Sequence, residues 1–190
     1  MAAITLGILA GGRGTRLGGL DKALCEFQGE RLLDRTLSAF DAGRSLPEEV
    51  LLSRGKTMAG VSDHPGCRIV PDLRDGSLGP LAGLEALLAA TPTAWLLSAP
   101  VDLRDVPAGL ASQLRARAAN GIACVVRDAD GLQPLVGLWP VASTLPAVRA
   151  ALDAGRLSAH GLLQQLDHAI LDLSPARLGN LNRSEDFARQ

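Results

Sequence analysis

Tyrosine is absent from the 190-residue chain, and aromatic residues make up only 3% of it, three Phe and two Trp. Single-stranded nucleic acids are held by bases stacked on aromatic faces, so this chain offers almost no such platform. It also lacks an excess of charge of either sign. Nineteen Lys plus Arg stand against twenty Asp plus Glu, a formal charge of -1, and no chain-wide field draws in nucleic acid or an anionic membrane. The three cysteines, Cys25, Cys67 and Cys124, lie far apart with no CxxC and no neighbouring histidine. That excludes a zinc knot or a disulfide framework and points to a reducing cytoplasm. No apolar run approaches the roughly 18 to 20 residues of a membrane span. The apolar opening has no basic segment before it and runs into Gly11-Gly12-Arg13, which reads as a buried strand rather than a signal peptide. His64, His160 and His168 lack metal-ligand spacing, and no GxSxG elbow presents a serine nucleophile.

What is present is a 47% hydrophobic, 21% charged chain, enough for one sizeable core and one domain spanning residues 1–190. Short apolar runs at 4–9, 49–53, 67–70, 95–99, 122–126, 135–139 and 169–173 read as strands. Between them lie helical patterns. One carries Leu32, Leu33, Leu37 and Phe40 and ends near Gly43; others cover 81–90, 107–119 with Pro107 in the first turn, 143–154 and 161–166. The alternation predicts an α/β fold, a three-layer, mainly parallel sheet with its site at the carboxyl ends of the strands.

The segment after the first strand, Leu9-Ala-Gly-Gly-Arg-Gly-Thr-Arg-Leu-Gly-Gly-Leu-Asp-Lys22, suits phosphates. Its glycines let backbone N–H groups approach an anion, while Arg13, Arg16 and Lys22 add full charges. It is neither GxxxxGK[ST] nor GxGxxG, because Leu17 occupies the third glycine's place. Asp102 follows the strand at 95–99, where one carboxylate plus phosphate oxygens can hold Mg²⁺. Asp105, rather than Asp102, is placed to cap the helix begun at Pro107. Asp72 precedes a glycine-bearing loop; it can accept from a guanine edge or a ribose hydroxyl, or order that loop through its backbone N–H groups.

The run from Leu9 to Lys22 resembles the LAGG…RMG…K signature of nucleotidyltransferases, most closely the molybdenum cofactor guanylyltransferases. Asp72, Gly79-Pro80-Leu81-Ala82-Gly83, Pro100-Val101-Asp102 and Asn180-Leu181-Asn182 follow in that family's order, so the resemblance covers nearly the whole chain. It implies a Rossmann-like single domain of the nucleotide-diphospho-sugar transferase type and Mg²⁺-dependent transfer of GMP from GTP to molybdopterin-bound molybdenum cofactor, with pyrophosphate released. Carried over residue by residue, it sets Leu9, Ala10 and Gly11 against guanine and ribose, Gly12 to Arg16 and Lys22 around the triphosphate, and Asp102 on the metal. It adds Asp72 and Gly79 to the nucleotide site and Asn182, with Asn180, to the acceptor and metal region. Arg16, Lys22 and Asp102 are the expected catalytic residues. The implied partners are GTP, the molybdopterin cofactor, and molybdoenzymes or cofactor-synthesis proteins that receive the product.

The chain departs from its relatives at three places. Leu52-Ser53-Arg54 stands where relatives often offer an asparagine to the base, Gln133-Pro134 replaces a histidine-proline pair, and Arg156 alone remains of a pair of arginines. Three other readings stay open: a CTP-dependent cytidylyltransferase, a sugar-1-phosphate nucleotidyltransferase, and a non-catalytic nucleotide-binding partner of cofactor insertion. Gly11-Gly12, where CTP users tend to carry Ala-Ala, favours the larger base.

Overall fold

A computed structural model describes residues 3–11, 22–41, 49–54, 66–76, 78–118 and 121–181. The predicted strands are all present: β1 (Ile4–Leu9), β4 (Glu49–Ser53), β5 (Cys67–Val70), β6 (Trp95–Pro100), β7 (Ala123–Asp128), β8 (Gly131–Pro140) and β9 (His168–Asp172). They form one seven-stranded sheet in the order β5-β4-β1-β6-β8-β7-β9. Among these strands β8 alone runs antiparallel, between β6 and β7. The ends of β1, β4, β5, β6, β7 and β9 therefore share one rim.

Strand side chains alternate between faces, and the core divides accordingly. Leu6, Ile8, Leu52, Leu97, Cys124 and Val126 pack with α1 (Leu32–Asp41) and α3 (Leu110–Arg117). Leu9, Leu51, Leu96, Val125 and Trp139 pack with α2 (Pro80–Ala90), α4 (Val141–Asp153) and α5 (Ala159–Leu163). The result is the expected three layers. No helix among the described residues is long and apolar enough to cross a membrane.

Three details differ from the sequence expectation. Residues 26–31 form a hairpin, β2 (Glu26–Phe27) with β3 (Glu30–Arg31), that the apolar pattern is too short to announce. Its tip has positive φ at both Gln28 and Gly29, the geometry of the tight turn that matches strand twist. Secondly, α3 starts at Leu110 and not at Pro107, because Gly109 takes a left-handed conformation (φ 72°) just before it. Asp105 is consequently no cap; it is exposed and pairs with Arg104 at 2.8 Å. Thirdly, β8 is longer than expected, and its register on β7 shifts between Val125 and Val126, pairing Val125 with Gly137 but Val126 with Gln133. Pro134 lies in the skipped segment, where it owes the ladder no N–H. The freed Leu135 carbonyl accepts from Ser98 Oγ at 2.8 Å, and Ser98 Oγ accepts from buried Trp139 Nε1 at 2.7 Å.

Gly7, mid-β1, has Leu87 of α2 directly over it. A Cβ there would lie 2.8 Å from Leu96 Cδ1 and 3.0 Å from Leu87 Cδ1. Gly7→Ala is expected to destabilise the fold by about 1–3 kcal/mol through overpacking, read as a lower urea midpoint at unchanged m; an unshifted midpoint would show that α2 yields freely.

Candidate active site

The backbone just past β1 is stitched on both sides. Ala10 N donates to Ser53 O (2.9 Å), and Leu9 O accepts from Val101 N (3.1 Å). Leu9 and Ala10 therefore sit between the end of β4 and the segment that carries Asp102. On that side, Lys22 Nζ donates to Asp102 Oδ2 at 2.5 Å, with the two side chains 23% and 15% exposed. Lys22 opens a short 3₁₀ turn, Lys22–Leu24, anchored by buried Ala23 against α1. Two residues 80 positions apart thus meet at the rim.

Asp102 is held by its main chain. Val101 O accepts from the buried Thr36 Oγ1 of α1 (3.1 Å), Asp102 O accepts from Leu181 N (2.9 Å), and Arg104 O accepts from Arg35 Nη2 (2.7 Å). Leu103 pairs with Asn180 in an isolated antiparallel bridge. Asn180 is therefore bridged to the residue that follows Asp102. Gly12, Arg13, Arg16 and Asn182 lie outside the described residues.

On the other side of Ala10, Ser53 is buried and its Oγ donates to Asp72 Oδ1 at 3.4 Å. Gly83 lets α2 come close here, since a Cβ at that position would lie 2.8 Å from Ser53 Oγ and 3.0 Å from Leu9 Cδ2. At the start of α2, Gly79 has φ 69° and offers no side-chain cap, and Pro80 fills the first turn. The helix therefore presents backbone N–H groups and the positive end of its dipole at the rim. Gly79 also approaches the segment after α4; a Cβ on it would sit 4.0 Å from Leu157 O. Arg156 next to it donates to Gln165 Oε1 (3.2 Å). Ser53 is a site residue that the sequence marks only as a departure; its place at the end of β4, facing α2, is what brings it to Asp72.

The loop after Asp72 is clamped by a network the sequence gives no hint of. Glu85 lies in α2 with 3% of its side chain exposed and takes Arg74 Nε at 2.8 Å and Nη2 at 3.1 Å, with Arg149 Nε at 3.5 Å. Arg74 reaches on to Asp153 of α4 at 2.5 Å. The hydrogen bonds to Glu85 and then Asp153 keep the Arg74 guanidinium protonated far above its ordinary range. A buried glutamate is tolerable only when paired in this way.

Among the described residues no group of three or more His, Cys, Asp or Glu converges. On the Lys22 side of the rim the donor set among the described residues is the Asp102 carboxylate, which faces that cation. A hard divalent ion completed by phosphate oxygens and water suits that set.

A parallel sheet that opens in this way at its C-terminal rim, with the first turn seated between two strand ends and an aspartate on the neighbouring strand, is the framework of the nucleotidyltransferases. Residues 6–169 match the family model of the MobA-like NTP transferase domain, and the chain belongs to that family. A molybdenum cofactor guanylyltransferase of Pseudomonas syringae pv. syringae is 35% identical over 179 residues, 92% of this chain and 87% of the relative. In fold, the chain resembles molybdopterin-guanine dinucleotide biosynthesis protein A from Archaeoglobus fulgidus, with TM-score 0.74, 18% identity, and 97% and 95% of the two chains covered. It likewise resembles a manganese complex of Rv0371C from Mycobacterium tuberculosis, with TM-score 0.64, 18% identity, and 100% and 98% covered. A divalent metal is consistent with the family.

The clamp yields an ordering. Arg74→Ala leaves Glu85 buried with only the distant Arg149, so it should lower the melting midpoint clearly, whereas Asp153→Ala, at an exposed partner, should barely move it. Equal midpoints for the two variants in differential scanning calorimetry would contradict the network's assigned centre.

Proposed function

We propose that the protein transfers the guanylyl group of GTP to the phosphate of molybdopterin-bound molybdenum cofactor. An acceptor phosphate oxygen attacks the α-phosphorus of GTP, the bond from that phosphorus to the bridging oxygen breaks, and pyrophosphate leaves with the electron pair. The observation that carries the reading is the Lys22–Asp102 pair beside the Leu9–Ala10 turn, in a chain of this family whose relatives bear the guanylyltransferase name.

Each residue then has a task set by its chemistry. The amide of Gly12 and the side chains of Arg16 and Lys22 receive the triphosphate and stabilise charge gathering on the departing pyrophosphate. Leu9, Ala10 and Gly11 line the guanosine, and Asp72, oriented by Ser53, accepts from the base or ribose. Gly79 brings the start of α2 to the nucleotide. Asp102 holds Mg²⁺, which when bound draws charge from the phosphate oxygens. Asn182, following Leu181 whose amide is tied to Asp102 O, closes the acceptor side. In this reading residues 1–190 act as a single domain in the cytoplasm and hand the dinucleotide to molybdoenzymes or cofactor-synthesis proteins.

Pyrophosphate release from GTP, Mg²⁺ and molybdopterin cofactor is the direct test, and it should fall at least about 100-fold in Lys22→Ala. Asp102→Asn should raise the Mg²⁺ needed for half-maximal rate with the fold intact by circular dichroism. Calorimetry should rank GTP above CTP. Tighter CTP binding would transfer the reading to a cytidylyltransferase, and strong GTP binding without pyrophosphate release would make the protein a binder.

A further inference from the structure

Asp128 is the last residue of β7 and only 3% exposed, yet among the described residues no cation pairs with it. Its carboxylate is occupied by N–H donors. Oδ1 accepts from Asp130 N (2.9 Å) and Gln133 Nε2 (3.0 Å), and Oδ2 accepts from Leu178 N (2.9 Å). Burial alone would raise its pKa, but the amides of Leu178, Gln133, Asp130 and Gly131 outweigh it and hold the group below the ordinary carboxylate value. A charged group buried without a counter-ion is retained where its acceptor capacity is fully used.

The partner that matters is Leu178. It belongs to residues 173–181, which leave β9 and run along the rim without joining the sheet. This strap is tied to β7 and the turn after it by Leu173 N to Arg127 O (2.8 Å) and Ala129 N to Ala176 O (2.9 Å). Leu178 itself faces two ways. Its N–H goes to Asp128, while its carbonyl accepts from Arg104 N (3.2 Å) and Asp105 N (2.8 Å), and three residues on, Leu181 N donates to Asp102 O (2.9 Å). The chain of contacts runs unbroken from the Asp128 carboxylate to the backbone of Asp102.

The structure assigns Asp128 as a positioning residue for the Asp102 segment, acting through the strap and never touching substrate. The assignment rests on the guanylyl-transfer reading for its catalytic consequence. Gln133 has its place here too: its side chain fixes Asp128, and with it the strap. Asparagine at 128 keeps one acceptor oxygen but turns an NH₂ toward an N–H donor, so Asp128→Asn should act in the same direction as Asp128→Ala, and less strongly.

The test has two arms on the full chain. In hydrogen exchange, Asp128→Ala should deprotect the amides of 176–181 together with those of 102–105, while β1 and β4 keep their protection. In kinetics, kcat should fall about 10- to 100-fold and the half-activating Mg²⁺ concentration rise, the scale typical of residues that orient metal ligands, with GTP affinity unchanged. Uniform loss of protection across the sheet, or deprotection of 176–181 with 102–105 unaffected, would overturn the assignment. So would wild-type kcat and Mg²⁺ dependence in a variant that is merely less heat-stable. Should the wild-type protein release no pyrophosphate, the guanylyl-transfer reading fails, and the exchange arm still decides the coupling between Asp128 and residues 102–105.

Discussion

The chain leaves the sheet after β6 with Val101 and Leu103 still buried, and the main-chain polar groups of residues 101–105 must find partners there. β8 pairs with β6 only from Trp95 to Ser98, so beyond that point the neighbouring strand supplies nothing. Partners arrive from several directions: β1 through Leu9, α1 through Thr36 and Arg35, and the strap through Leu178 and Leu181. Unpaired backbone groups in such a place are costly enough that the arrangement is obligatory rather than ornamental. The carboxylate of Asp102 inherits its position from it.

This constraint joins the two halves of the rim. One half, Leu9, Ala10, Ser53, Asp72 and the start of α2, is assembled by close packing that depends on Gly83. The other, Lys22, Asp102 and Asn180, is assembled by hydrogen bonds from elements far apart in the chain. The first half suits recognition of a nucleoside, since it offers a shaped wall with a few fixed acceptors. The second suits charge, since it opposes a cation and an anion whose backbones have little freedom. Phosphoryl transfer asks for both, because little covalent work falls to the protein and placement of charge does most of it.

Much of this is legible in the residues themselves. A six-residue apolar strand running into glycines, and aspartates just past two other strands, follow from periodicity and from where α/β sheets keep their sites. Two kinds of feature escape that reading. Glu85 sits in a helix whose buried residues run from Leu81 to Leu88 without a polar face, so periodicity offers no reason to pair it with Arg74 eleven positions earlier. The strap has no regular structure, and its contacts with Asp128 and Asp102 are set by how the chain returns across the rim after β9. The start of α3 was misplaced for a simpler reason, a proline favourable to a helix being followed by a glycine whose left-handed backbone interrupts it. Gln133-Pro134 reads only as a departure from relatives until the register shift of β8 and the bond to Asp128 show what it does.

The position of β1 carries a cost during synthesis. It is made first yet ends in the middle of the sheet, bonded to β4 on one edge and β6 on the other. While a ribosome extends the chain, this apolar segment has both edges open, and the second of its neighbours is complete only at Pro100. Until then the nascent polypeptide exposes a strand able to recruit other chains, a stage at which chaperone capture shields it from misassociation.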